Sequence, residues 1–385
     1  MSAVDVVELL AQLVAIESVN PAYPGPASGE AAIAGFVADF CRAAGAEVRT
    51  REILPGRPNV VATLRSGRPG PALVFEAHLD TVGILDMGEA ALRPRIEGDR
   101  LYGRGACDVK GGLAAMLAAI AELAPRRDEL PQDLVLAAVM DEEATFQGVR
   151  GFLDEGLPIA AAVVAEPTEL RVVIAHKGCV RWRIRTVGRA AHSARPDEGL
   201  NAIAQMAEVV RALRRELQPR LAMRSHPLLG RPTLSVGTIA GGTGVNVVPA
   251  ECVIEVDRRL IPGETGASAL AEVDAVLADL RRAEPWITVE REEPWIVDGC
   301  LDTSPDAPIV RAALAACRQA GYPGEPTGVP YGTDASKFAA RGIPSIVLGP
   351  GSIAHAHSAH EFIPLPELRH AVEIYTRIAL SPLGS

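Results

Sequence analysis

Acidic residues and histidines follow directly on several short apolar runs, and these are the side chains that hold divalent metals. His78 and Asp80 come after Leu73–Ala77, and Asp141, Glu142 and Glu143 after Leu134–Met140. Glu166 follows Ala162–Ala165, and a Gly-Pro-Gly turn after Ser345–Leu348 leads to His355, His357, His360 and Glu361. Such runs read as strands buried on both faces, and in an open α/β sheet ligands bind beyond the carboxyl ends of the strands. Each element alone is weak. A His with an acid two residues later arises by chance about once in a chain of this composition, and an isolated Asp-Glu-Glu is usually a solvated loop. Convergence at four strand ends is what points to one rim built for metal chemistry.

The segment Leu101–Gly112 adds Asp108, set between glycine-rich backbone and the start of a helix near Gly111. A phosphate-binding glycine loop is the competing reading. The spacing matches neither Gly-x-Gly-x-x-Gly nor a Gly-Lys-Ser/Thr loop, and an acid in its middle repels phosphate. Imidazole and oxygen ligands without thiolates suit zinc, cobalt or manganese rather than an iron–sulfur cluster. Two histidines and three carboxylates exceed what one catalytic zinc uses, and suffice for two ions that share a bridging carboxylate. The charge of two dications against three carboxylates leaves an excess that a bridging hydroxide neutralises. One acid then remains as a base.

The elements that must position these residues follow from periodicity. Val60–Leu64, Leu73–Ala77, Leu134–Met140, Ala162–Ala165 and Ser345–Leu348 read as strands. Val4–Ile16, Glu30–Ala43, Gly111–Leu123, Ile309–Ala320 and Leu365–Leu380 read as helices. Their alternation predicts an α/β fold with a mostly parallel sheet and helices on both faces. In the middle third, Val180, Trp182 and Ile184 alternate with Arg181, Arg183 and Arg185, the period of a strand with one wet face. Strands at Leu234–Ile239, Cys252–Asp257 and Ile287–Glu290, with helices at Asn201–Leu217 and Ala267–Arg282, complete a β-α-β-β-α-β ferredoxin-like unit. The expected organisation is one domain, 1–176 and 293–385, interrupted by a smaller one at 177–292 whose exposed sheet edge suits pairing with a second copy.

Composition sets the outer bounds. The chain has 385 residues, 48% of them apolar, and a formal net charge of −10, which opposes binding to a phosphate backbone. Nucleic acid is therefore excluded as a partner. No apolar stretch approaches the roughly 18 to 20 residues that a bilayer requires, and the start reads as no signal peptide. Six scattered cysteines form neither a disulfide framework nor a thiolate zinc site. A cytoplasmic protein is the expectation.

Taken in order, Ala77–Val82, Gly103–Gly112, Asp141–Glu143, Ala165–Pro167, Gly188–Ser193, Asn246–Pro249, Asp257–Pro262 and Gly349–Ser352 with His357 resemble the dinuclear-zinc aminoacylase family. That family includes acetylornithine deacetylases, succinyl-diaminopimelate desuccinylases and related carboxypeptidases, and the resemblance spans essentially the whole chain. It implies a zinc-exopeptidase-like catalytic domain with an inserted lid and dimerisation domain. It further implies two Zn2+ per subunit, with Co2+ or Mn2+ as possible substitutes. His78, Asp108 and Glu166 would hold one ion, and Asp108, Glu143 and His357 the other. Asp80 would orient His78. Glu142 would be the general base, taking a proton from the metal-bridging water and delivering it to the leaving amine. His192 would reach the partner subunit's active site to stabilise the oxyanion, the plain alternative being a surface histidine in a turn. Asn246 and Arg259 match substrate contacts, Arg259 suiting a free α-carboxylate. Thr333 and Asp334 would shape the pocket, although Asp334 equally suits a helix cap.

Two positions depart from the family pattern. His360 stands where an acid is expected after the last metal histidine, and His355 stands where acetylornithine deacetylases carry Gln. Both read as pocket lining, while His176, His226 and His370 read as structural. The expected function is hydrolysis of the acyl group from a small-molecule N-acyl amino acid by a homodimer. A carboxypeptidase or dipeptidase of the same fold is the alternative, and a non-catalytic metal-binding relative is a third reading.

Overall fold

The computed structural model describes residues 4–383, and the chain packs into two compact units. The first contains the chain up to Ile174, Asp302–Gly328 and the chain from Thr333 onward; the second contains Ala175–Leu301 and Val329–Gly332.

In the first unit, α1 (Val6–Ala15) and α2 (Ala31–Ala43) precede β1 (Glu47–Leu54), β2 (Arg57–Leu64) and β3 (Ala72–His78). The short β4 (Arg95–Glu97) and β5 (Arg100–Tyr102) lead to α3 (Lys110–Leu123), β6 (Leu134–Val139), α4 (Gln147–Leu153), β7 (Ile159–Val164) and β8 (Val173–His176). Asp5 caps α1 by accepting the Val7 N–H at 2.9 Å, and Leu9, Leu10, Leu13 and Val14 then recur on its buried side. α3 is buried almost throughout because its alanines and glycines let neighbouring backbone come close. A Cβ at Gly111 would stand 2.6 Å from the Ala106 carbonyl oxygen.

The second unit is antiparallel throughout. Its strands are β9 (Gly178–Val187), β10 (Thr233–Gly241), β11 (Glu251–Leu260), β12 (Val289–Arg291) and β13 (Ile296–Asp298), in the order β10-β11-β9-β12 with β13 also on β9. Helices α5 (Ala202–Ala212), α6 (Gln218–Ala222) and α7 (Gly266–Ala283) complete it. Val180, Trp182 and Ile184 pack with Met206, Val209, Ile254, Val256, Val273 and Leu277 in its core. On the wet face Arg181, Arg183 and Arg185 pair with Asp257, Glu255 and Glu290. The helix expected over Asn201–Leu217 is interrupted: Asn201 caps α5, which ends at Ala212, and a π turn over Leu213–Leu217 follows. The unit also runs past the expected end at 292, because Ile296–Asp298 pairs with Arg181–Cys179.

The chain re-enters the first unit through β14 (Leu301–Asp302), α8 (Pro308–Gln319), β15 (Thr327–Val329), α9 (Ala335–Ala339), β16 (Ser345–Val347), β17 (Phe362–Pro364) and α10 (Leu365–Ala379). The main sheet of this unit has the order β1-β2-β6-β3-β7-β16-β8. Its centre, β6-β3-β7-β16, is parallel, while β1, β2 and β8 are antiparallel to their neighbours. Buried Leu368, Ala371, Ile374, Tyr375 and Ile378 dock α10 onto this sheet, and the Tyr375 hydroxyl donates to the Leu348 carbonyl at 2.6 Å. No helix among the described residues is long and apolar enough to cross a membrane.

Candidate metal centre and active site

The four parallel strands are neighbours, so their carboxyl ends share one rim. His78 is the last residue of β3 and lies opposite Val139 of β6; Glu76 lies opposite Val164 of β7, and Val164 opposite Val347 of β16. Two residues beyond the last position of each strand, Asp141 opens Asp141–Glu143, Glu166 follows β7 and Gly349 opens the Gly349–Ser352 turn, all at the same rim as His78 and Asp80. Asp108 arrives from the turn preceding α3. A Cβ on Gly349 would stand 2.5 Å from the Glu166 carbonyl oxygen, so glycine is what lets the β16 turn pass this residue.

Ligand atoms of His78, Glu142 and Glu166 lie within 4.8 Å of one another, as do those of His78, Asp108 and Glu143. His78 Nε2 is 3.1 Å from Asp108 Oδ1, while His357 Nε2 is 3.2 Å from Asp108 Oδ2 and 3.0 Å from Glu143 Oε1. Asp108 thus turns one oxygen to each histidine, the arrangement a carboxylate shared between two cations requires. His357 adopts a positive φ of 56°, which aims its ring back at Asp108 and Glu143.

The electrostatics of the cluster call for positive charge. Burial pushes the Glu166 carboxyl well above the usual range, and Asp108 and Glu142 add repulsion. Burial does the same to Glu142, with Asp334 and Glu143 opposing its ionisation. Burial also disfavours ionisation of Asp108, yet hydrogen bonds from His357 and His78 prevail and hold its carboxyl low. Hydrogen bonds to Asp108 and Glu143 push His357 up to about 10. Hard oxygen donors, two imidazoles and surplus negative charge in a buried site fit divalent metal ions.

Asp80 meets His78 through both its main chain and its side chain. The hydrogen-bond partner of His78 Nδ1 is the backbone carbonyl of Asp80, at 2.9 Å, whereas the Asp80 carboxylate is 3.6 Å away. That carboxylate also accepts the Glu142 N–H at 3.1 Å, the Glu143 N–H at 3.0 Å and the Asn20 side-chain amide at 2.8 Å. Asn20 also donates to Asp141 at 3.0 Å, and Asp141 pairs with Arg57, which is held by the buried Glu30. Under Asp108, the buried Glu361 accepts the N–H groups of Cys107 and Asp108 at 3.0 and 3.1 Å and pairs with Arg104 at 2.8 Å. Asn20, Glu30 and Arg57 carry no sequence signal, since their partners lie far away along the chain, and Arg104 was seen only as part of the Gly103–Gly112 segment. Glu361 was visible only as the acid beside His360. His360 itself is exposed, and His355 stacks on Phe362 with ring centroids 4.1 Å apart.

The first unit therefore brings together His78, Asp80, Asp108, Glu142, Glu143, Glu166 and His357. Thr333, expected to shape the pocket, is fully buried, and its hydroxyl accepts the Ala335 N–H at 3.2 Å at the start of α9. His192, Asn246 and Arg259 belong to the second unit. There His192 Nδ1 accepts the Ala194 N–H at 3.1 Å, the Asn246 carbonyl accepts the Ser193 N–H at 3.0 Å, and Arg259 pairs with Asp257 at 2.8 Å.

Residues 74–381 match the model of peptidase family M20/M25/M40. The acetylornithine deacetylase of Aliivibrio salmonicida is 31% identical over 390 aligned positions, covering 96% of this chain and 97% of that protein. Among solved structures, the aminopeptidase PepT of Bacillus cereus superposes with a TM-score of 0.79 at 20% identity, covering 98% of this chain and 97% of that one. A dinuclear metal-binding peptidase of the M20 family from Bacillus subtilis gives 0.76 at 16% identity, covering 98% and 97%. The chain belongs to peptidase family M20/M25/M40 and is a metal-dependent hydrolase of amide bonds.

Proposed function

We propose that this enzyme removes the acyl group from an N-acyl amino acid, in the manner of an acetylornithine deacetylase or a desuccinylase. The observation that carries the reading is Asp108 facing both His78 and His357, on a chain that aligns along nearly its whole length with an acetylornithine deacetylase. His78, Asp108 and Glu166 would hold one zinc ion, and Asp108, Glu143 and His357 a second, with cobalt or manganese as substitutes. Bound there, two dications would polarise the scissile carbonyl and make water acidic near neutral pH.

The protein's own groups supply the rest. Glu142 is the general base: its carboxylate takes a proton from the attacking water and returns it to the leaving amine nitrogen. Asp80 holds the main chain of Glu142 and Glu143 so that neighbouring side chains divide the roles of base and ligand. Arg259 would grip the substrate carboxylate through two parallel hydrogen bonds, and Asn246 would be a further substrate contact. His192 would donate to the oxyanion in the active site of a partner subunit, in a homodimer formed through the exposed edge of the second unit.

The test is a panel of acetyl-, succinyl- and formyl-amino acids set against dipeptides, with zinc content measured on the same preparation. Preferential turnover of acyl amino acids at two metal equivalents supports the proposal. The peptidases among its structural neighbours favour a second reading, a carboxypeptidase or dipeptidase of the same fold, in which peptides are turned over in preference.

A further inference from the structure

We propose that Asn20 is a positioning residue for the catalytic carboxylates, acting through Asp80 and Asp141; this rests on the reading of Glu142 as general base and Glu143 as ligand. Asn20 is fully buried, and its side-chain amide spends both N–H bonds on carboxylates: 2.8 Å to Asp80 Oδ2 and 3.0 Å to Asp141 Oδ1. Those two acids flank the functional pair from opposite sides. Asp141 immediately precedes Glu142 and holds a positive φ of 70°, and Asp80 receives the N–H groups of both Glu142 and Glu143. A neutral donor with two hydrogens fits between two anions as no other uncharged side chain of its size does. It satisfies both without adding charge beside the metal rim.

The loop that carries Asn20 is itself fixed. The Asn20 N–H donates to the Thr81 carbonyl at 2.9 Å, its Oδ1 accepts the Ala22 N–H at 3.0 Å, and the Tyr23 hydroxyl reaches the Glu143 carbonyl at 3.3 Å. Asn20 therefore ties the turn after β3 to the turn after β6. Buried polar networks of this kind are costly when half satisfied, so loss of the amide should be felt at the groups it aligns.

The decisive variant is Asn20→Asp, which preserves shape and the acceptor for Ala22 but replaces both donors with a third negative charge. Asn20→Ala accompanies it in case the extra charge prevents folding. The expected result is a kcat lower by about 10- to 100-fold, the usual cost of removing outer support around a metal site, with KM within about twofold. A second readout is independent of turnover: in the metal-free protein, the amides of Glu142 and Glu143 should exchange with solvent faster in either variant, while those of the β7 core do not. Unchanged exchange at these two amides, or a kcat within twofold of the parent in a folded variant, overturns the proposal. Absence of acyl amino acid hydrolysis in the parent would instead overturn the functional reading and leave the exchange result to decide the role of Asn20.

Discussion

The Asp80 carboxylate receives the main-chain N–H of Glu142 at 3.1 Å, tying the end of β3 to the residue that follows the last strand position of β6 by three. With the Glu143 N–H on its other oxygen, Asp80 acts as a clamp on the turn while its carboxylate stands 3.6 Å from the His78 ring. Asp80→Ala should therefore lower kcat by about 10- to 100-fold while the His78 ring keeps its backbone partner. Steady-state kinetics with metal analysis checks this. If metal is lost first and kcat per bound metal is unchanged, the clamp is not what matters.

Glu142→Ala should retain its metal and lose at least about a thousandfold in turnover, because general-base assistance is removed while His78, Asp108, Glu143, Glu166 and His357 remain. Metal content by elemental analysis beside kcat on the best acyl amino acid gives the answer. Near-normal turnover would remove Glu142 from the mechanism.

Glu361→Ala should destabilise the first unit by about 2 kcal/mol, since it removes the acceptor of two buried backbone N–H groups and one carboxylate partner of Arg104, which keeps its pair with Asp86. Because those N–H groups belong to Cys107 and Asp108, metal affinity should fall as well. Denaturant midpoints with and without added zinc measure both effects.

How much of this was legible beforehand depends on whether a residue's chemistry is local. His78, Glu143, Glu166 and His357 stand next to buried apolar runs or glycine turns, so residue type and position together reveal them. The clamp was not legible: Asn20 lies 60 positions from Asp80 and 121 from Asp141, and only the folded sheet brings them together. β1 escaped for another reason. Its sequence EVRTREIL is exposed along most of its length, with charge where alternation would reveal a strand, and it is defined only by pairing with β2. The parallel centre of the sheet was readable from unbroken apolar runs, but the antiparallel attachment of β2 was not, because a strand buried on both faces looks alike in either direction.

The second unit carries its own acid sensitivity. Glu264 accepts the Ile261 N–H at 3.0 Å and pairs with Arg224 at 2.6 Å and Arg258 at 2.7 Å. Burial opposes its ionisation, but the Ile261 N–H and the two guanidinium groups prevail and hold its carboxyl below the usual range. A depressed folded-state pKa means that this stabilisation is complete above the unfolded value of about 4.3 and disappears as pH falls through the folded value. The gap in Tm between the parent and Glu264→Gln should thus be constant from about pH 7 to 5 and close below about pH 4. A gap that widens on acidification would reverse the assignment.

If His192 serves the partner's site, two inactive variants should rescue each other. In a mixed dimer of His192→Ala and Glu142→Ala, one composite site keeps Glu142 from the first chain and His192 from the second, while the other site loses both. Random reassembly of equal amounts makes about half of all dimers mixed, so activity should recover to about a quarter of the parent value. Were His192 to act within its own chain, every site in the mixture would lack one of the two groups and nothing would be regained. Recovery after co-refolding, with each variant alone as the baseline, separates the two arrangements and simultaneously tests whether the enzyme is a dimer.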